Sequence, residues 1–382
     1  MPTVFNPSPT GWPVTVLVGQ ANAAAARSIT RYVDLATLRF EESGNNEPAT
    51  CEFEFIQESR SVPSNAPADQ FSNWAVPEGP VLVRHGQETV FQGFVRQLSH
   101  VPEGISRRVR VAAYDVSTLL DRCIVRGSYV RAAGETDKAR IQWLLTEFGD
   151  AIYALFGNLD FSMVQTLDTS MPRQRFGQLT LRQAIEQVLA AASPTANYYM
   201  DPVGRLHTFS DANPEGLDAP YRINTARTLA SNECAPEDLS IEWDTSGLIN
   251  IYKVRGRNAA GTETFFDPVS FQTYGARKSF IDGPDCDTFA KAQALADAAL
   301  ADTKDPLVRG RFSVQGTSVT RNGDRWRPGQ KVYVTSAHNG LLAEPYRIVR
   351  VATTYLSGTG DRRCEIEFGG LRRRYRTGGS LR

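Results

Sequence analysis

The chain has 382 residues, with 42 Lys and Arg set against 42 Asp and Glu, so its formal charge is zero. That balance excludes a protein that holds nucleic acid simply by being basic. With 41% hydrophobic and 10% aromatic residues it is neither disordered nor fibrous; its length gives a prior of about two or three domains, and 30 Gly with 21 Pro predict a turn-rich, mainly β chain.

Alternation dominates the first third. Residues 14–18, 32–40 and 51–55 read as strands, and in the last of these Cys51, Phe53 and Phe55 share one face while Glu52 and Glu54 share the other. A hairpin follows, 81–84 and 90–98 joined at His85-Gly86-Gln87-Glu88, then a strand at 107–113. Near Asp115 the period changes. Residues 136–148 carry Ile141, Leu144, Leu145 and Phe148 on one helical face, and Thr180 with Gln183 forms a capping box ahead of a second amphipathic helix at 180–192. The run 198–209 reads as a hairpin turning at 201–204. Strands return at 240–243, 249–255, 311–315, 331–335, 346–354 and 363–368, interrupted by a helix at 288–302. These signals predict an α+β, mainly β fold with domains at 1–118 (β), 119–230 (mixed α/β) and 231–370 (β), followed by a basic tail at 371–382.

Motifs of chemistry are scarce. No window approaches the roughly 18 apolar residues of a membrane span, and the N-terminal residues lack the pattern of a signal peptide, so no membrane insertion and a cytoplasmic site of synthesis are expected. Cys51, Cys123, Cys234, Cys286 and Cys364 form no C-x-x-C pair and read as small buried hydrophobes. His85, His100, His207 and His338 stand apart, and no phosphate loop, dinucleotide fingerprint or nucleophile elbow occurs. Ser99 and His100 are strand neighbours on opposite faces. The carboxylate pairs Glu41-Glu42, Asp285 with Asp287 and Glu365 with Glu367 have the spacing of solvated turns and strand faces. The expectation is a protein without enzymatic activity, metal or cofactor.

An internal repeat stands out. The turn and strand from Pro77-Glu-Gly79 to Val83 match those from Pro328-Gly329 to Val334, residues 91–98 answer 346–351, and each segment ends in a glycine turn and an Arg-Arg strand at 107–111 and 362–366. Two related β modules in one chain allow three chains to present six similar units in a ring.

The ordered set Glu78-Gly-Pro-Val-Leu-Val83 with Phe91-Gln-Gly-Phe-Val95, Tyr114-Asp-Val-Ser-Thr-Leu-Leu120, Leu248-Ile-Asn-Ile-Tyr-Lys-Val-Arg-Gly256, the alanine-rich helix around 290–300 and Arg325-Trp-Arg-Pro-Gly-Gln-Lys-Val332 resembles the baseplate hub and tail-tip proteins of tailed bacteriophages and phage-like particles. The resemblance runs from about residue 14 to 368. It implies two tube-like β-barrel modules flanking the small α/β domain, and a homotrimeric, pseudo-sixfold ring at the distal end of the virion tail. Such a ring adapts a sixfold tube to a threefold tip and encloses a DNA channel. Implied partners are tail or tail-tube rings above, tip, fibre or tape-measure proteins below or inside, and passing DNA bound without sequence specificity. The alternative within the same class is a hub of a contractile injection system or tailocin, which would share fold and symmetry. Another class of function, a receptor or carbohydrate module, would use Trp12, Trp74 or Tyr129 as stacking platforms. A channel that lets DNA slide needs a wall that does not hold phosphates, which singles out Glu52, Glu54, Glu365 and Glu367 as channel-lining candidates.

Overall fold

A computed structural model of the chain describes residues 14–19, 27–44, 46–58, 75–103, 106–152, 160–193, 196–210, 218–256, 262–283, 288–321, 324–356 and 361–369. Trp12, Trp74, Cys286, Asp285, Asp287 and the basic tail lie outside these residues.

The alternating segments at the start become β1 (Val14–Val18), β2 (Arg27–Ser28), β3 (Val33–Ser43), β4 (Thr50–Glu58), β5 (Pro80–His85), β6 (Glu88–Glu103) and β7 (Ser106–Asp115). They lie in the order β2-β1-β5-β6-β7-β4-β3. The longer strands each have an apolar face, and Val16, Leu38, Phe40, Cys51, Phe53, Phe55, Val83, Val95 and Val111 close into a single core. Gly86, at φ 60°, makes the tight β5–β6 turn that the sequence predicts.

The helical period after Asp115 builds α1 (Leu119–Arg122), β8 (Ile124–Arg131), α2 (Asp137–Phe148), β9 (Gln174–Thr180), α3 (Leu181–Ala192), β10 (Asn197–Met200) and β11 (Leu206–Phe209). Their apolar stripes meet in a second core around Ile141, Leu144, Phe176, Ile185 and Val188. Thr180 and Gln183 form the predicted capping box, and Thr136 caps α2. Arg182, at the start of α3, fastens this segment to the β3–β4 turn: its guanidinium donates to Asp121, the Tyr198 hydroxyl and the carbonyls of Asn46 and Ser117.

The remaining elements are β12 (Arg222–Asn224), β13 (Glu233–Cys234), β14 (Glu237–Asp244), β15 (Ile251–Gly256), β16 (Thr262–Phe266), α4 (Pro268–Tyr274), β17 (Lys278–Gly283), α5 (Phe289–Thr303), β18 (Leu307–Gln315), β19 (Thr320–Arg321), β20 (Asp324–Arg325), β21 (Lys331–Ser336), β22 (Leu341–Tyr355) and β23 (Arg362–Gly369). Seven of them pair in the order β13-β12-β21-β22-β23-β18-β14. Taken in chain order, these seven strands occupy the same positions as β1 to β7, although β12 runs parallel to β13 and β21 where β1 runs antiparallel to β2 and β5, so the repeat seen in sequence at 77–113 and 328–368 is a repeat of strand order. The two sets join where β22 pairs antiparallel with β3, from Arg350 opposite Ser43 to Thr354 opposite Arg39.

The fold is α+β and mainly β. Its compact units are drawn differently from the sequence boundaries at 118, 230 and 370. One unit is Met1–Asp238 with Phe312–Glu367, because the β22–β3 pairing joins β21, β22 and β23 of the second repeat to the first, whereas most of β14 and the first part of β18 belong to the other unit. The other comprises Leu239–Arg311 with Phe368 and Gly369 among the described residues. Within this second unit β16-β15-β17 form a small sheet, and α5 lays Ala292, Ala296, Ala299 and Leu300 against Tyr252 and Val254.

Candidate functional site

Period-two geometry decides which residues share the outer face of the large sheet. On β4 the buried Cys51, Phe53 and Phe55 leave Glu52 and Glu54 on the opposite side. Across β4, Glu52 is opposite Arg39 and Ala112, and Glu54 is opposite Asp34 and Arg110. On β23, Cys364, Ile366 and Phe368 are buried, which turns Glu365 and Glu367 to the other side. Arg350 of β22 ties that side to the face of β4. It grips Glu41 of β3 through both carboxylate oxygens and donates to Glu367 at 2.6 Å. The structure therefore brings all four predicted glutamates onto one face of one continuous sheet.

That face is a mosaic rather than an acidic wall. Glu54 lies 3.3 Å from Arg108 and 3.6 Å from Arg110, and the Arg350 hydrogen bonds hold Glu41 below the usual carboxylate range despite partial burial. Arg350 is pushed up in turn, first by its hydrogen bond to Glu41. Glu52 borders a shallow recess with Gln97, Ser99, Arg110 and Ala112. The sequence reading missed the four arginines, Arg39, Arg108, Arg110 and Arg350. Their alternation with apolar residues was visible; the register that sets them against glutamates was not.

Behind the face lies a buried ionic contact. Glu42 points inward, opposite to Glu41, and accepts from Arg325 at 2.8 Å, with both side chains below 10% exposure. Arg325 also lies 3.5 Å from Glu88, which reaches Arg362 at 3.6 Å. These contacts link β3, the β5–β6 turn region and β23.

Ser99 and His100 do not meet as nucleophile and base. His100 sits opposite Val109 and Ser99 opposite Arg110, so the neighbours face apart. His207 is fully buried, and the β10–β11 hairpin sets its Nε2 3.0 Å from Asp201 and its Nδ1 3.2 Å from the Tyr199 hydroxyl, a grouping missed in sequence. Asp201 also accepts from the backbone of Val203 and Arg205 and from the Arg205 side chain. Burial opposes its charge, but these bonds prevail and hold it at about 2. Its oxygens are thus committed to shaping the turn. Among the described residues no cluster of His, Cys, Asp or Glu is placed to hold a metal ion, and Cys51, Cys123, Cys234 and Cys364 are free and buried. Tyr129 packs edge-on against Trp143 and Phe148, at 5.7 and 5.3 Å, within an aromatic cluster. No described helix is long and apolar enough to cross a membrane.

No protein-family model and no curated protein matches the chain. Solved structures do. A tail protein from Neisseria meningitidis MC58 aligns with a TM-score of 0.62 at 16% identity, covering 94% of this chain and 97% of its own. The 43 kDa tail protein of prophage MuSo2 from Shewanella oneidensis gives 0.61 at 14% identity, over 94% and 98% of the two chains. A prophage tail protein of Listeria monocytogenes EGD-e gives 0.57 at 14% identity, over 94% and 95%. Over nearly its whole length, then, the chain has the fold of phage tail proteins, the class that its sequence resembles.

Proposed function

We propose that the chain is a structural hub at the distal end of a phage tail tube, acting as a homotrimer whose two β modules per chain form a pseudo-sixfold ring around a DNA channel. The observation that carries this reading is the duplicated strand order, with the two copies already joined side by side through β22 and β3. A chain that repeats one module and pairs the copies edge to edge needs only threefold association to present six similar surfaces to a sixfold tube. The fold shared with prophage tail proteins supports the same place in a virion. In this arrangement the tube rings stack above, tip, fibre or tape-measure proteins lie below or inside, and the 119–230 segment packs outside the ring, its amphipathic helices covering a core.

The mosaic face bearing Glu52, Glu54, Glu365 and Glu367 is our candidate for the channel wall. Its arginines are engaged by glutamates of the same chain, so they offer passing phosphates little fixed positive charge, and the chain carries no net charge to retain a polyanion. Native mass spectrometry and electron microscopy of tails test the proposal together. A trimer whose ring contains both modules of each chain is expected; a monomer in the particle, or a ring built from one module per chain, overturns it.

A further inference from the structure

The two repeats differ at their edges. In the second repeat the long strand β22 is shared, its residues 341–347 pairing with β21 and its residues 350–354 with β3. In the first repeat the counterpart strand, β6, pairs with β5 through 88–94 and, on its opposite edge, with β7 through 93–103. Beyond the end of β5, no strand lies against the near edge of residues 97–101 among the described residues. The counterpart of β3 is β14, which pairs only with β18 among the described residues. The junction that joins the repeats inside the chain thus has an open receiver, β6, in one repeat and an open donor, β14, in the other.

The receiving edge has the chemistry of a seam, and the donor has the residue pattern of the strand it would imitate. Soluble proteins guard exposed strand edges with charge, proline or bulges; here a bulge at Val95/Gln97 and Pro102 bound the edge, while Gln97-Leu98-Ser99-His100-Val101 between them carries no Lys, Arg, Asp, Glu or Pro, and Val101 is 53% exposed. On the donor side Leu38-Arg39-Phe40-Glu41, shortly before Ser43-Gly44, is answered by Ile241-Glu242-Trp243-Asp244, shortly before Ser246-Gly247. Phe40 is buried beside Tyr355, with ring centres 6.3 Å apart. Trp243, its counterpart, is 51% exposed. We infer that residues 241–244 of β14 in one chain add as an antiparallel strand to residues 97–101 of β6 in a second copy, reproducing between chains the β22–β3 pairing found within one. A donor-to-receiver contact of this kind is heterologous and closes only as a ring or runs on as a filament; the inference rests on the trimeric reading above, which supplies the closure.

By equivalence with Thr354 opposite Arg39, Val101 is set against Glu242 of the neighbouring chain. The test is a Val101→Cys, Glu242→Cys double variant, oxidised in the purified trimer or in assembled tails, with the unsubstituted chain and a Val101→Cys, Lys253→Cys variant as controls. Hydrogen exchange of the unsubstituted trimer gives a second readout that needs no variant. Interchain disulfides specific to the 101–242 pair, together with slowed exchange at 97–101 and 241–244, are the expected result. A trimer with neither feature overturns the seam and leaves the ring intact. A chain that is monomeric both in solution and in tails overturns the ring and the seam together.

Discussion

At the scale of single residues, two buried charges carry the clearest consequences. Arg325 and Glu42 are each almost fully enclosed and bonded at 2.8 Å, so removing one partner strands the other in an apolar interior. Arg325→Ala is expected to cost about 3–5 kcal/mol, read from denaturant midpoints; Arg325→Met with Glu42→Leu should recover most of it, because neither charge of the pair is then left stranded. A loss under about 1 kcal/mol in the single variant would mean that water reaches the pair. Asp115 is the opposite case. It caps the short helical turn after β7, accepting from the Ser117 backbone at 3.1 Å and from its hydroxyl at 2.6 Å. Desolvation outweighs these bonds and raises its carboxyl from 3.8 to about 7. Between those values the folded chain holds a proton that the unfolded chain has released, so stability falls as pH rises through that window. Asp115→Asn keeps the capping acceptor and removes the titration. The wild type should therefore lose stability relative to the variant between pH 4 and 7, and parallel stability profiles would refute a neutral buried carboxyl.

At the scale of elements, what the sequence discloses depends on whether a signal is local. Strands with one buried face, such as β4 and β23, and helices with caps, such as α2 and α3, are legible because alternation, an apolar stripe and a Thr cap all lie within a dozen residues. Strands β8 and β9 escape because most of β8 is exposed and the two pair across more than 40 residues. The short β12 owes its strand character to β21, far along the chain, and β13 in turn pairs with β12. The same distinction governs the candidate face: its glutamates are readable from alternation, its Arg350–Glu41 and Arg350–Glu367 pairs only from register. Two substitutions test the local devices. Thr180→Ala removes the capping-box acceptor at α3 and should cost about 1 kcal/mol, measured by thermal or denaturant unfolding; an unchanged midpoint would show that packing alone fixes the helix start. Gly93→Ala should cost more, about 1–3 kcal/mol, because a Cβ there would lie 2.0 Å from the Tyr114 carbonyl oxygen and β7 would have to move. A structure of that variant with β6 and β7 still in register and no loss of stability would contradict this account of the close strand approach.

At the scale of the whole molecule, the proposal that the sheet's outer face lines a channel turns on the charge that face carries. Asp34, Glu41, Glu52, Glu54, Glu365 and Glu367 share that face with Arg39, Arg108, Arg110, Arg350 and Arg363, six acids against five arginines assembled from five strands. Neutralised arginines should let a polyanion slide, since each free phosphate contact would add counterion-release affinity at every position along the DNA. Glu52 and Glu365 are the positions to alter, because Glu54, Glu41 and Glu367 hold arginines whose release would confuse the result. Replacing both by Lys reverses the sign of the face, whereas replacing both by Gln removes charge without adding any phosphate ligand. If the face lines the channel of a tail, the Lys variant should assemble normal particles and eject DNA more slowly, the delay shrinking as salt is raised. The Gln variant should eject at close to the wild-type rate. Ejection of the Lys variant at the wild-type rate from intact particles would place this face away from the DNA, and an equal delay in both variants would point to a structural defect rather than to charge.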